Sequence, residues 1–195
     1  MRRYRNRVLT ILLTVIAYII YHLYTGQPFP RVSPNNAPKS TQFLLPSPPT
    51  SSDSANFGIV KRVVDGDTIE LDNGKTLRYI GIDTPETKHP TKGVECYGEE
   101  AYKKNKELVE GKRVQLEKDV SEMDRYGRLL RYVYVLPDDA SRSATLLINQ
   151  YLVQEGYAHA VTFPPDVKYT EYFKNIEREA REKNKGLWSA CTITP

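Results

Sequence analysis

The chain has almost nothing with which to hold a soft metal or to staple a small scaffold. Its 195 residues contain two cysteines, Cys96 and Cys191, and three histidines, His22, His89 and His159, with no CxxC or HxxxH spacing. Zinc sites need such clusters, so zinc chemistry has no support. Two cysteines are too few for a disulfide framework. Whether they form one bridge or stay as two thiols is open, because sequence does not bring their Cα atoms within about 7 Å. A basic surface is missing as well. The formal net charge is +4, yet residues 1–56 hold six Lys or Arg and one acid, leaving 22 basic and 23 acidic residues in 57–195, a balance of −1. Bulk charge therefore gives no support to nucleic-acid binding, which would have to rest on local placement. No internal repeat, recognition helix or basic stripe is visible.

What the N-terminus does have is a membrane signature. Arg2, Arg3, Arg5 and Arg7 precede VLTILLTVIAYIIYHLY, residues 8–24, which contains no Asp, Glu, Lys or Arg. The run lies at the short end of the roughly 17–25 residues that span a bilayer as a helix. A cleaved signal peptide has a shorter apolar region and a small-x-small site, and the following YTGQPFP offers none. Residues 1–7 are thus expected to be a basic cytoplasmic flank and 8–24 a transmembrane signal-anchor. Everything after Tyr24 is placed outside the cytoplasm, at the cell membrane, or secreted if the segment is removed. Residues 25–56 are rich in Pro, Ser, Asn and Thr without an apolar period, an extended linker unable to bury enough surface to fold. An exported domain sits in a compartment that permits a disulfide.

From Phe57 the pattern changes to strands. GIVKRVVD, TIEL and KTLRYIGI form a meander, with Asp72-Asn73-Gly74 as a hairpin turn. CYGEEAYKKNKELVEG then reads as a helix stopped at Gly111. Two further strands, KRVQLEKDV and LLRYVYVL, are followed by helices expected over SATLLINQYLVQEG and YTEYFKNIEREAREKNKG. Five short strands with a helix after the third indicate an α+β fold, a small closed OB-like β-barrel with three helices.

Charges gather at the strand ends. Asp65-Gly66-Asp67-Thr68 lies between the first two strands and Asp83-Thr84-Pro85-Glu86 ends the third, so Asp67 and Asp83 can meet at one rim. Pro85 stops the ladder and turns Glu86 back toward that rim. Two carboxylates with nearby carbonyls suit calcium or magnesium, although Asp-Gly alone is commoner as an ordinary turn. Arg78 and Arg128 supply guanidinium forks that match phosphate oxygens; singly, either would more often be a surface ion pair. Two arginines, two aspartates and a glutamate on one small barrel make phosphodiester chemistry the sharper reading.

The stretches VDGDTIEL, LRYIGIDTPETKHPTKGVECYGEEA, DRYGRLLRYVYV and KNKGLWS resemble the staphylococcal nuclease (thermonuclease) family, in order from about Gly58 to Ser189. The resemblance implies a five-stranded OB-fold barrel with three helices and a calcium-dependent nuclease of DNA and RNA that leaves 3′-phosphate ends. By position it implies calcium at Asp67, Asp83 and the Thr84 carbonyl, phosphate at Arg78 and Arg128, Glu86 as general base and Tyr126 beside the nucleotide. Where the family archetype has two tyrosines after the second helix, this chain reads AVTFPPD, with Phe163 a partial substitute; base stacking and core packing are equal readings for Phe163. Lys92 and His89 fall in a polar loop expected at the pocket's edge, and Trp188 is expected in the core. Single strands, whose bases can stack on Tyr126 or Phe163, are the favoured substrate, and nothing requires more than a monomer. The rival readings are a non-catalytic OB-fold nucleic-acid-binding module tethered to the membrane, and an envelope protein whose barrel only displays the tether. Five charged positions in register argue for chemistry over the binding module, and degradation of plasmid by residues 57–195 with added calcium separates chemistry from the envelope reading.

Overall fold

The computed structural model describes residues 57–87, 93–136 and 145–191. The expected flank 1–7, anchor 8–24 and linker 25–56, together with His89 and Lys92, lie outside the described residues. Among the described residues no helix is long and apolar enough to cross a membrane.

Strands β1 (Phe57–Asp65), β2 (Thr68–Leu71) and β3 (Thr76–Tyr79) form the expected antiparallel meander. The chain then runs through β4 (Ile82–Asp83) and α1 (Gly98–Val109) to β5 (Arg113–Glu117) and β6 (Leu129–Val135). The order is β3-β2-β1-β5-β6, and a parallel pairing of β3 with β6 closes the barrel. β1 curls because its register shifts between Val60 and Arg62, an extra residue that bends a strand and strengthens its twist. The shift leaves Val60 and Val63 facing inward and Lys61 and Arg62 outward, where both bond Glu70, at 2.8 and 2.5 Å.

The second half departs from the helical pattern. The helix expected over 143–156 is the shorter α2 (Ile148–Gln154), because Leu146 and Leu147 form β7 and pair with Val135 and Tyr134. The last long helix, α3 (Thr170–Glu182), stops before the expected Gly186, and a single turn, α4 (Leu187–Ala190), follows. The third strand also ends early. After Tyr79 the backbone leaves the ladder at Gly81, with φ 78°, and β4 pairs instead with β8 (His159–Ala160). Buried Asn149 of α2 fixes this break: its Nδ2 donates to the Ile80 carbonyl at 2.8 Å and its Oδ1 accepts from Val133 N–H at 3.0 Å. Buried Asn105 of α1 accepts from Tyr79 Oη at 2.9 Å and donates to the Asp65 carbonyl at 3.3 Å, tying the helix to the rim.

Cys96 and Cys191 form a disulfide, with Cα atoms 5.9 Å apart across a sequence separation of 95. A cross-link over so long a loop removes much freedom from the unfolded chain, and loss of such bridges costs about 2–5 kcal/mol. Reduction is expected to lower the unfolding free energy by that amount in urea titrations; an unchanged midpoint would contradict it.

Candidate active site

The site grows from the split in the third strand. β2 and β3 set Arg78 opposite Thr68, beside Asp67, whose carbonyl accepts from Tyr79 N–H at 3.0 Å. Arg78 Nη1 donates to Asp67 Oδ1 at 2.8 Å, and Nη2 bonds Asp83 Oδ1. Asp67 also accepts from the Thr68 hydroxyl at 2.9 Å and from Thr84 N–H at 3.2 Å. One guanidinium thus joins the carboxylates delivered by the β1–β2 turn and by β4, as the meander predicts. Gly66 serves close approach: a β-carbon there would stand 2.5 Å from Thr84 Oγ1. The Asp-Gly pair is more than an ordinary turn former, since any side chain at 66 would push the Thr84 segment off Asp67.

Burial separates the two aspartates. Asp67 is 3% exposed, whereas the Asp83 side chain is 50% exposed. Burial pushes the Asp67 pKa above its ordinary value in spite of Arg78 and the Thr84 N–H. Burial also works against the Arg78 charge, but Asp67 and Asp83 outweigh it and hold that pKa above the usual arginine value. Glu86 is pushed up to about 7, first by desolvation and then by the hydrogen bond and charge of Asp65.

Across from Glu86 stands Arg128. Its Nε donates to Asp124 Oδ2 at 2.7 Å and its N–H to Asp124 Oδ1 at 3.0 Å. Arg78, Glu86, Arg128, Tyr126 and Phe163 line one cleft of about 780 Å³. Tyr126 and Phe163 are 67% and 65% exposed, so Phe163 is a rim residue and core packing is ruled out for it. Its loop is strapped down by Asp166, whose Oδ1 accepts from Val120 and Ser121 N–H at 3.0 and 2.8 Å. Trp188, expected in the core, is only half-buried; it lies edge-on to His159 with the Arg181 guanidinium 4.0 Å above its ring.

A family model described as staphylococcal nuclease homologue matches residues 76–190. The chain belongs to this staphylococcal nuclease family. It is 47% identical over 133 residues to the SPbeta prophage-derived endonuclease YokF of Bacillus subtilis (strain 168), covering 66% of this chain and 42% of that protein. Endonuclease YncB of the same organism is 47% identical over 133 residues, 66% of this chain and 59% of the relative. The thermonuclease of Staphylococcus hyicus is 39% identical over 158 residues, 77% and 89% of the two chains. The match thus spans about half the length of the two Bacillus relatives.

Two further residues of this staphylococcal nuclease homologue matter at the site, and local sequence does not reveal what they face. Asp65 accepts from Gly66 N–H at 2.8 Å and the Thr87 hydroxyl at 3.0 Å, and faces Glu86. Asp124 orients Arg128. Burial works against its charge, but hydrogen bonds from the Arg128 N–H, the Arg128 guanidinium and Tyr126 N–H outweigh this and hold its pKa below the usual range. The available signal was Asp at the first position of the turn DRYG, where its side chain caps the turn.

The raised Glu86 pKa has a consequence in the metal-free protein. The Glu86 carboxyl binds a proton more tightly in the folded protein than in the unfolded chain. The contribution of this group to stability is therefore fully present below about pH 4.5 and is lost as pH rises toward about 7. In chelator, Glu86→Gln is expected to flatten this slope in thermal melts; an unaltered slope would contradict it.

Proposed function

We propose that the chain is a calcium-dependent nuclease that hydrolyses phosphodiester bonds of DNA and RNA, single strands in preference, leaving 3′-phosphate ends. The observation that carries this is the shared cleft, in which two guanidinium groups and Glu86 face one space edged by two exposed aromatic rings. The relatives named endonuclease and thermonuclease support the same reaction class.

The residues fit a hard cation. Asp67 and Asp83 bond Arg78 with Glu86 close by, and Asp65 faces Glu86, while Arg128 is engaged by Asp124, so the rim carries surplus negative charge. Among the described residues no group of three or more His, Cys, Asp or Glu is arranged to hold a metal alone. Coordination would be completed by carbonyl, water and phosphate oxygens, the donors calcium takes. Asp67 and Asp83, with the Thr84 carbonyl, would hold the ion, which when bound supplies a Lewis acid at the phosphate.

The chain's own groups do the rest. Arg78 and Arg128 donate to phosphate oxygens whose charge builds during attack, an interaction stronger in the transition state than in the ground state. Glu86 takes a proton from the attacking water as its oxygen bonds phosphorus in line. The bond from phosphorus to the 5′ oxygen breaks and that oxygen takes a proton from solvent, leaving a 3′-phosphate and a 5′-hydroxyl. Tyr126 and Phe163 stack on bases, and Lys92, outside the described residues, would add a further substrate-binding cation. Backbone positioning therefore dominates base readout. Residues 8–24 hold this monomeric domain on the outer face of the cell membrane, or release it if they are cleaved.

Digestion of end-labelled single-stranded and duplex oligonucleotides tests this reading. Fragments ending in 3′-phosphate, formed faster from the single strand, are expected. Fragments ending in 3′-hydroxyl would overturn the assignment of the leaving oxygen.

A further inference from the structure

Glu86 must present its carboxylate to a water poised on phosphorus, and its backbone is clamped twice by one residue. Glu86 N–H donates to Glu95 Oε2 at 3.1 Å, and Glu95 N–H donates to the Glu86 carbonyl at 2.9 Å. The start of α1 rests on the same peptide: a β-carbon at Gly98 would lie 2.8 Å from Glu86 O and 3.0 Å from Pro85 O. Cys96, next to Glu95, is joined to Cys191. Cys191 follows α4, which is fixed in the core by buried Leu187, whose N–H donates to the Gly156 carbonyl at 2.8 Å.

Between the Glu86 segment and α4 lies a cavity of about 240 Å³, with Pro85, Glu95 and Cys96 on one wall and Leu187, Trp188 and Cys191 on the other. The disulfide crosses it as a covalent strut.

We infer that Glu95 and the Cys96–Cys191 disulfide are positioning elements for Glu86, so that turnover, more than substrate affinity, depends on the oxidised bridge. This rests on the nuclease reading with Glu86 as base. A nuclease so built is restrained while its chain is still in a reducing compartment and reaches full rate once the cysteines are joined.

The test uses the full chain purified in detergent, with single-stranded DNA and saturating calcium. Oxidised wild type is compared with protein reduced by dithiothreitol, with the Cys96→Ser/Cys191→Ser double variant, and with Glu95→Ala and Glu95→Gln. In the reduction, two electrons and two protons pass to the disulfide to give two thiols, and dithiothreitol closes to its own cyclic disulfide. Near-UV circular dichroism and emission from Trp188, the single tryptophan, establish that each species is folded. Displacing a reacting group by about 1 Å can cost about 10²-fold. Accordingly kcat is expected to fall at least about tenfold on reduction, in the double variant and in Glu95→Ala, with KM within about twofold. Glu95→Gln, whose amide oxygen still accepts from Glu86 N–H, is expected to stay within about twofold of wild type. Equal turnover of oxidised and reduced folded protein, or of Glu95→Ala and wild type, overturns the inference. Because Glu95→Ala keeps the disulfide, a reduced protein that unfolds does not remove the test. Absence of cleavage by oxidised wild type overturns the nuclease reading itself, and this inference with it.

Discussion

Replacing Arg78 by Gln is expected to lower kcat by about 10²–10³-fold, the usual cost of losing one preorganised donor to developing charge, and to destabilise the protein as well. The two effects share a cause. Arg78 pairs with Asp67, which is 3% exposed, and its other Nη bonds Asp83. Removing the guanidinium strands a carboxylate that burial already pushes toward protonation. Breaking one side of a buried pair costs about 3–5 kcal/mol. Lysine would keep the charge but lose the fork that reaches both aspartates, so Arg78→Lys should recover part of the stability and little of the rate. Arg128 provides the contrast. Its partner Asp124 is mostly shielded but less deeply buried than Asp67, and Arg128→Gln should cost rate with a smaller loss of stability. Urea titrations beside single-turnover cleavage read both quantities. An Arg78→Gln protein as stable as wild type and within tenfold of its rate would remove Arg78 from the centre of the site.

Glu86→Gln should lower kcat by about 10²–10⁴-fold, the range for general-base catalysis, without destabilising the fold. The carboxylate sits where desolvation and Asp65, Asp67 and Asp83 disfavour its charge. Its neutral isostere therefore avoids the stability that the metal-free protein loses as pH rises from about 4.5 to about 7. Calcium binding should be largely kept, because Asp67, Asp83 and Thr84 are unaltered, and calorimetric titration of the variant checks this. The backbone clamp from Glu95 is also untouched, so a rate loss cannot be ascribed to loop movement. Activity equal to wild type would mean that another group, or solvent alone, takes the proton.

The barrel was legible because its signals are local. Asp72-Asn73-Gly74 makes the expected hairpin, Gly74 taking φ 79°, and the meander that follows brings Asp67, Arg78 and Asp83 together. What escaped reading depended on contacts between distant segments. Leu146 and Leu147 continue the helical pattern of 148–154, yet pairing with β6 wins. The LWS segment reads as core, yet Trp188 forms a cavity wall. Asp65 faces Glu86 and Asp124 bonds Arg128, and an aspartate in a glycine-containing turn looks like turn chemistry until the fold shows what it faces. The disulfide is decided only by where α1 and α4 come to lie.

The most direct measurement is degradation of single-stranded DNA by the purified full chain, first with calcium and then with excess chelator. Cleavage with calcium that stops on chelation is the predicted result. Cleavage that continues in chelator would contradict the metal role of Asp67 and Asp83. A folded, calcium-replete protein that binds the strand and leaves it intact would contradict the central claim and return the chain to the non-catalytic binding module.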